Sequence, residues 1–169
     1  MSRELYPQIC TGAEFAAELN RRATLSTGVP DSVIRQVLPH LNHYQAVPGE
    51  EHAIAIAFGA RAGHGCPAVL MQNSGLGRAL DALLGLQRLY ETGLVAVVSN
   101  RGELAWEEPQ HQDWGSLTQP LLDLLEVEVV DFGEEGLAGL HRCFDLAYGG
   151  EVERIAVLLV HRGNIDESS

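Results

Sequence analysis

Basic residues are scarce in this sequence. Eleven Lys and Arg stand against 23 Asp and Glu, a formal charge of -12 over 169 residues. Such a surface repels phosphate backbones and anionic lipid, which argues against a nucleic-acid or membrane-surface role. A small anionic substrate remains admissible, because local groups can outweigh net charge. Cysteine is scarce too. Cys10, Cys66 and Cys143 are odd in number, widely spaced, and form neither a Cys-x-x-Cys pair nor a zinc pattern. They read as small buried hydrophobes in a reducing cytoplasm. No apolar run is long enough to cross a bilayer. Met1-Ser2-Arg3-Glu4 leads into no apolar stretch of the signal-peptide kind. Internal repeats and low-complexity segments are also missing.

What is present is core-forming material: 46% of the residues are hydrophobic. The length suits one domain over 1–169, with loose ends at about 1–8 and 163–169. Thr11-Gly12-Ala13-Glu14 has the form of a capping box and predicts a helix to about Arg22. Short apolar strands are expected near 25–27, 44–47, 67–71, 94–99, 127–131 and 155–160. Helices are expected near 31–38, 50–62, 75–90, 117–125 and 134–148, with a long irregular stretch over 100–115. Strand and helix alternate about six times. That pattern predicts an α/β fold: an open, mainly parallel sheet of about six strands with helices on both faces. Ligands of such sheets sit beyond the carboxyl ends of the strands.

Three segments there carry unusual chemistry. Glu50-Glu51-His52 opens an apolar helix, Ala53 to Ala60. Acidic residues in a first turn are ordinary dipole partners. A carboxylate held there against apolar walls is also suited to proton exchange. Met71-Gln72-Asn73-Ser74-Gly75-Leu76-Gly77 follows a strand and opens a helix. It lacks the Lys of a P-loop and the third glycine of a dinucleotide fingerprint, and reads as a polar turn in which backbone approaches a ligand or a neighbouring subunit. Arg101-Gly102-Glu103 and Glu107-Glu108-Pro109-Gln110-His111 lie in the long loop. They offer a guanidinium for an oxyanion and an imidazole that titrates near neutrality. His40, His43, His64, His141 and His161 have no such context and receive no role.

Taken together, Thr27-Gly28-Val29-Pro30-Asp31-Ser32, the Met71–Gly77 string, and Arg101-Gly102-Glu103 with Glu108-Pro109-Gln110-His111 resemble the pyrimidine-binding domain of thiamine-diphosphate-dependent 2-oxoacid decarboxylases. The likeness is to the phosphonopyruvate and sulfopyruvate branch and covers residues 28–125. It implies that Glu50, with Ala53 and Gly59 in place, matches the catalytic Glu, which in this family bonds the ring nitrogen of the aminopyrimidine. It also implies that Gln72, Asn73 and Gly75 line the cofactor cleft. Asp31 and Ser32 face the substrate or the ring, and His111 approaches the substrate carboxylate or transfers a proton. Arg101 either holds the phosphonate or braces the loop.

The sequence departs from the family at Arg78, where Asn is common. It also has none of the Gly-Asp-Gly segment that binds magnesium and diphosphate in full-length relatives. The resemblance therefore implies one subunit of a split enzyme. Thiamine diphosphate would lie between this chain and a separate diphosphate-binding (beta) subunit holding most of the Mg2+ contacts, and the chain itself would self-associate. The GVPDS and EPQH strings favour phosphonopyruvate, giving phosphonoacetaldehyde and CO2. Sulfopyruvate decarboxylation and a non-catalytic scaffold role are the alternatives.

Overall fold

The computed structural model describes residues 6–166. Helix α1 (Gly12–Arg22) leads into β1 (Leu25–Gly28). Strand β2 (Tyr44–Ala46), α2 (Glu50–Ala62) and β3 (Pro67–Gln72) follow, then α3 (Ser74–Tyr90) and β4 (Leu94–Asn100). Helix α4 (Pro109–Leu125), β5 (Glu128–Asp131), α5 (Phe132–Tyr148) and β6 (Ile155–His161) complete the order. The six strands form one sheet in the order β2-β1-β3-β4-β6-β5, with every pairing parallel.

The expected sheet and its two helical layers are present, and the pleat explains why both sides are apolar. Successive side chains of a strand point to opposite faces. Ala68 and Leu70 of β3, Val95 and Val97 of β4, and Ala156 and Leu158 of β6 pack with Phe15 and Leu19 of α1 and Leu140 and Phe144 of α5. Their neighbours Val69, Met71, Ala96, Val98, Val157 and Leu159 pack with Ile54 and Phe58 of α2, Leu76 and Leu83 of α3 and Leu122 of α4. Central parallel strands covered on both faces thus read as continuous apolar runs. Cys10 and Cys143 are buried and free, whereas Cys66, also expected to be buried, is free but only partly covered. Burial pushes the Cys10 and Cys143 thiols up to about 11 and about 12, well away from the reactive thiolate. Among the described residues no helix is long and apolar enough to cross a membrane.

Three expectations need correction. Residues 32–37 form successive turns followed by a 3-10 helix, Leu38–His40, instead of an α-helix over 31–38. Asp31 Oδ1 does cap the segment, accepting from Val33 N at 2.7 Å and Ile34 N at 3.4 Å. Pro39 then removes an N–H and disfavours the α conformation at Leu38, so the turn does not propagate. Secondly, α4 begins at Pro109 and not near Leu117. Proline at the first helical position is favourable, but the polar run Gln110 to Ser116 hides the helix from an apolar-period reading. Thirdly, the segments flanking the sheet are tied together. Tyr6 N donates to Arg162 O at 3.1 Å, Ile9 N donates to Asn164 O at 2.8 Å, and Cys10 bridges Ile165. Of the loose ends expected at about 1–8 and 163–169, residues 1–5 and 167–169 lie outside the described residues.

Strand order reverses between β1 and β3, because the chain leaves β1 outward to β2 and returns on its other side. Such a switch point opens a crevice at the carboxyl ends of the strands. The turn after β1, the turn after β3 and the loop after β4 all emerge there.

Candidate active site

Glu50 occupies the first turn of α2. Its N-cap, Gly49, supplies no side-chain cap, so the helix dipole and exposed amides favour a carboxylate here. The residue is 8% exposed, and its Oε2 is buried and accepts no hydrogen bond. The expected apolar walls are incomplete: Arg78 Nε lies 3.6 Å from that oxygen. Arg78 Nη2 also donates to Glu51 Oε1 at 3.2 Å. The arginine that departs from the family pattern thus spans both acids, and Glu51 is the more exposed of the two. The inner side of Glu50 rests on the start of α3. A Cβ placed on Gly75 would sit 2.5 Å from Glu50 Cγ and 2.7 Å from Oε1. Only a glycine admits the carboxylate at this depth. A buried, under-bonded oxygen beside a cradle without a side chain fits the N–H edge of a flat heteroaromatic ring.

The turn after β3 sorts its polar residues. Asn73 is fully buried. Its Nδ2 contacts Asn100 Oδ1 at 3.0 Å, Arg101 O at 2.9 Å and Thr118 Oγ1 at 2.8 Å, while Oδ1 accepts from Ser74 N at 3.1 Å. This side chain locks α3, β4 and α4 to one another and is spent inside the protein. Gln72 points the other way. Its Nε2 donates to Ser74 Oγ at 2.8 Å and stands 3.1 Å from His111 Nδ1.

Arg101 is 4% exposed, and each of its three guanidinium nitrogens is bonded within the chain. Nε donates to Glu107 Oε1 at 2.5 Å, Nη1 to Ser32 Oγ at 2.8 Å and Nη2 to Glu108 Oε2 at 2.8 Å. Of the two roles anticipated for it, the geometry is that of a brace. Glu107 completes the brace, since its Oε2 accepts from Gly102 N at 2.7 Å and Leu104 N at 3.3 Å. Its burial opposes ionisation, yet Arg101 and these amides hold its carboxyl below the usual range. Gly102 has φ +91°, and an added Cβ would fall 1.8 Å from His111 O. The loop after β4 therefore lies directly on the first turns of α4, which sets the height of His111.

Asp31 stands beside this brace. Oδ2 is buried and makes no hydrogen bond of normal geometry. Burial raises its pKa, and the amides of Val33 and Ile34, the nearby Ser99 hydroxyl and the Arg101 charge offset this only in part. Tyr44 donates to Gly28 O at 3.1 Å, and burial together with the Asp31 charge pushes its phenol up to about 12. The structure thus brings Asp31, Ser32, Gln72, Arg101 and His111 into one polar chain. Glu50 joins it through the Ser74-Gly75 turn.

Sequence reasoning missed His161. Burial opposes its protonation, but its ring lies between Glu103 Oε2, 2.7 Å from Nδ1, and Asp131 Oδ2, 3.1 Å from Nε2, and its pKa is raised on balance. Tyr6 stacks on it at 4.3 Å and donates to Glu103 Oε1. The position ends an apolar strand, and only strand pairing places it opposite Asn100. Among the described residues, no group of three or more His, Cys, Asp or Glu side chains is placed to hold a metal ion.

No protein-family profile matches the chain. It is 32% identical over 120 residues to sulfopyruvate decarboxylase subunit alpha of Methanococcus maripaludis, covering 68% of this chain and 72% of that one. It is 31% identical to the subunit of the same name from Methanothermobacter thermautotrophicus, covering 68% and 73%. Phosphonopyruvate decarboxylase of Streptomyces viridochromogenes is 33% identical over 62% of this chain but only 28% of its own length. Among solved structures, a provisionally assigned thiamin diphosphate-dependent enzyme from Mycobacterium smegmatis superposes with a TM-score of 0.65 at 20% identity, over 88% of this chain and 30% of that one. A 2-oxoglutarate:ferredoxin oxidoreductase from Magnetococcus marinus gives 0.60 at 14% identity, over 90% and 28%. These two share the fold, and this chain spans about a third of their length. On its similarity to the two alpha subunits, over two thirds of both chains, the protein belongs to the family of thiamine-diphosphate-dependent 2-oxoacid decarboxylases that includes sulfopyruvate decarboxylase alpha subunits and phosphonopyruvate decarboxylase.

Proposed function

We propose that the chain is the pyrimidine-binding subunit of a two-component decarboxylase acting on a short 2-oxoacid with a distal phosphonate or sulfonate. Phosphonopyruvate, yielding phosphonoacetaldehyde and CO2, is the first choice, on the GVPDS and EPQH strings. Sulfopyruvate is the second reading, favoured by relatives of matching length that are named for it. The observation that carries the proposal is the buried, under-bonded Glu50 Oε2 beside the Gly75 cradle.

Bound thiamine diphosphate would supply a carbon nucleophile and a sink for the electrons released with CO2. The chain's own residues then have separable tasks. Glu50 accepts a hydrogen bond from the pyrimidine edge and stabilises a proton there, in a setting where little water competes. Gly75 lets the ring approach. Asp31, Ser32 and His111 border the 2-oxoacid, and Gln72 lines the cleft between them. Arg101 keeps Ser32 and Glu108 in place. Diphosphate and Mg2+ fall to a separate beta subunit. The named relatives are alpha subunits, and the described residues here offer no metal-ligand cluster.

The test is a decarboxylation assay of the chain reconstituted with its beta subunit, thiamine diphosphate and Mg2+, comparing both oxoacids under the same conditions. Turnover of phosphonopyruvate in preference to sulfopyruvate is expected, and the opposite preference selects the second reading. Tight cofactor binding without turnover of any 2-oxoacid would make the chain a non-catalytic subunit.

A further inference from the structure

His111 is approached from two sides by groups that demand different things of its ring. Gln72 Nε2 lies 3.1 Å from Nδ1. A primary amide nitrogen has two N–H donors and no acceptor. One hydrogen is directed to Ser74 Oγ at 2.8 Å, and the other faces Nδ1. That contact is bonding only when Nδ1 carries a lone pair. On the far edge, Glu108 Oε2 is 3.7 Å from Nε2. A carboxylate there favours a proton on Nε2 and repels a lone pair. The two neighbours therefore select the same neutral form. The opposite tautomer would set N–H against N–H on one edge and lone pair against carboxylate on the other.

Both neighbours are themselves held. Gln72 ends β3, paired with Ser99 of β4. Glu108 is fixed by Arg101 Nη2 at 2.8 Å. It is also the N-cap residue of α4, yet its side chain makes no capping bond. The carboxylate is turned to the guanidinium and the imidazole.

We propose that Gln72 and Glu108 are positioning residues that fix His111 in its Nε2–H tautomer. His111 thus meets the substrate as a hydrogen-bond donor and not as a proton acceptor. Its partner is an oxygen of the 2-oxoacid, the carboxylate or the oxo group, approaching Nε2. This deepens the proposed function and rests on it for the identity of the substrate.

The tautomer is read on the full-length chain alone, by long-range 1H–15N NMR of 15N-histidine-labelled protein at a pH where His111 is neutral, with His111→Gln identifying the signal. Wild type is expected to show the Nε2–H pattern. Gln72→Glu presents an acceptor to Nδ1 while Glu108 still faces Nε2, and is expected to replace the neutral Nε2–H pattern by that of a ring carrying protons on both nitrogens. Gln72→Met, without donor or charge, is expected to give a mixture of tautomers and, in the reconstituted complex, to lower kcat toward the about tenfold or more of a lost positioned donor; it serves also if the Glu variant does not fold. An Nδ1–H wild type overturns the proposal, as does Gln72→Met keeping both the Nε2–H form and full kcat. The functional reading fails separately, if His111→Gln leaves turnover unchanged whatever the tautomer.

Discussion

Arg101 shows how one residue's surroundings decide between two chemistries. A substrate-binding guanidinium keeps nitrogens open to the cleft, whereas this one is bonded to Glu107, Ser32 and Glu108. Breaking a buried pair strands the remaining charge and costs about 3–5 kcal/mol. Arg101→Met is therefore expected to lower stability by about 3 kcal/mol in denaturant titration, since Glu107 keeps its amide donors but is left with only the more distant Arg162, 3.5 Å from Oε1. A raised KM for the oxoacid with unchanged stability would return Arg101 to a substrate role. Asp31 gives the converse prediction. Its folded carboxyl holds a proton more tightly than the unfolded one. Its contribution is therefore favourable at acid pH and is lost as pH rises from the ordinary carboxylate range through the higher folded value. Asp31→Asn keeps an oxygen for the Val33 and Ile34 amides and removes the buried charge. It should raise the melting temperature at pH 7 while lowering turnover, a stability–activity exchange of the kind expected at functional sites. An unchanged or lower melting temperature would contradict this. His161 titrates in the opposite chemical sense but with the same slope. Its raised folded value gives stability that is complete below about pH 6.5, the ordinary histidine value, and is lost as pH climbs through the folded one. Thermal melts across that window should fall in wild type and stay flatter in His161→Gln.

At the scale of elements, much was legible and the failures have physical causes. The capping box predicted α1, and Thr11 and Glu14 make both reciprocal bonds. Helix α2 spans the expected 50–62. The apolar runs of β3, β4 and β6 mark strands buried on both faces. The start of α4 was hidden because its first two turns face polar neighbours. The segment after Asp31 has the capping and apolar spacing of a helix, but Pro39 stops an α-helix from propagating. Within the site, Glu50 stood out from its position before an apolar helix. The choice between Arg101 as brace and as ligand depended on Glu107, whose burial no local pattern announces. The contact between α2 and α3 also gives a prediction. Gly75→Ala places a methyl group against the flexible end of Glu50 and not against backbone, so the carboxylate yields before the fold does. Cofactor affinity in the reconstituted complex should fall tenfold or more, a loss of about 1.4 kcal/mol per decade, with little change in melting temperature. Affinity equal to wild type would mean that Glu50 does not set the depth of the ring.

For the whole molecule, the reversal of strand order between β1 and β3 gathers three short polar segments from residues far apart in sequence onto one edge of the sheet. The rest of the surface is strongly acidic, so arginines at that edge matter out of proportion to their number. Arg78 spans Glu50 and Glu51, and Arg101 joins the turns after β1 and β4. The account's central claim is that Glu50 serves the pyrimidine of a cofactor shared with a second subunit. The most direct measurement is CO2 release by the complex of this chain with its beta subunit, thiamine diphosphate and Mg2+, wild type against Glu50→Gln, alongside calorimetric cofactor binding. The account predicts that the Gln variant assembles normally and loses at least about a hundredfold in kcat, the scale of a lost charge-stabilising contact. Equal turnover by the two proteins would contradict it.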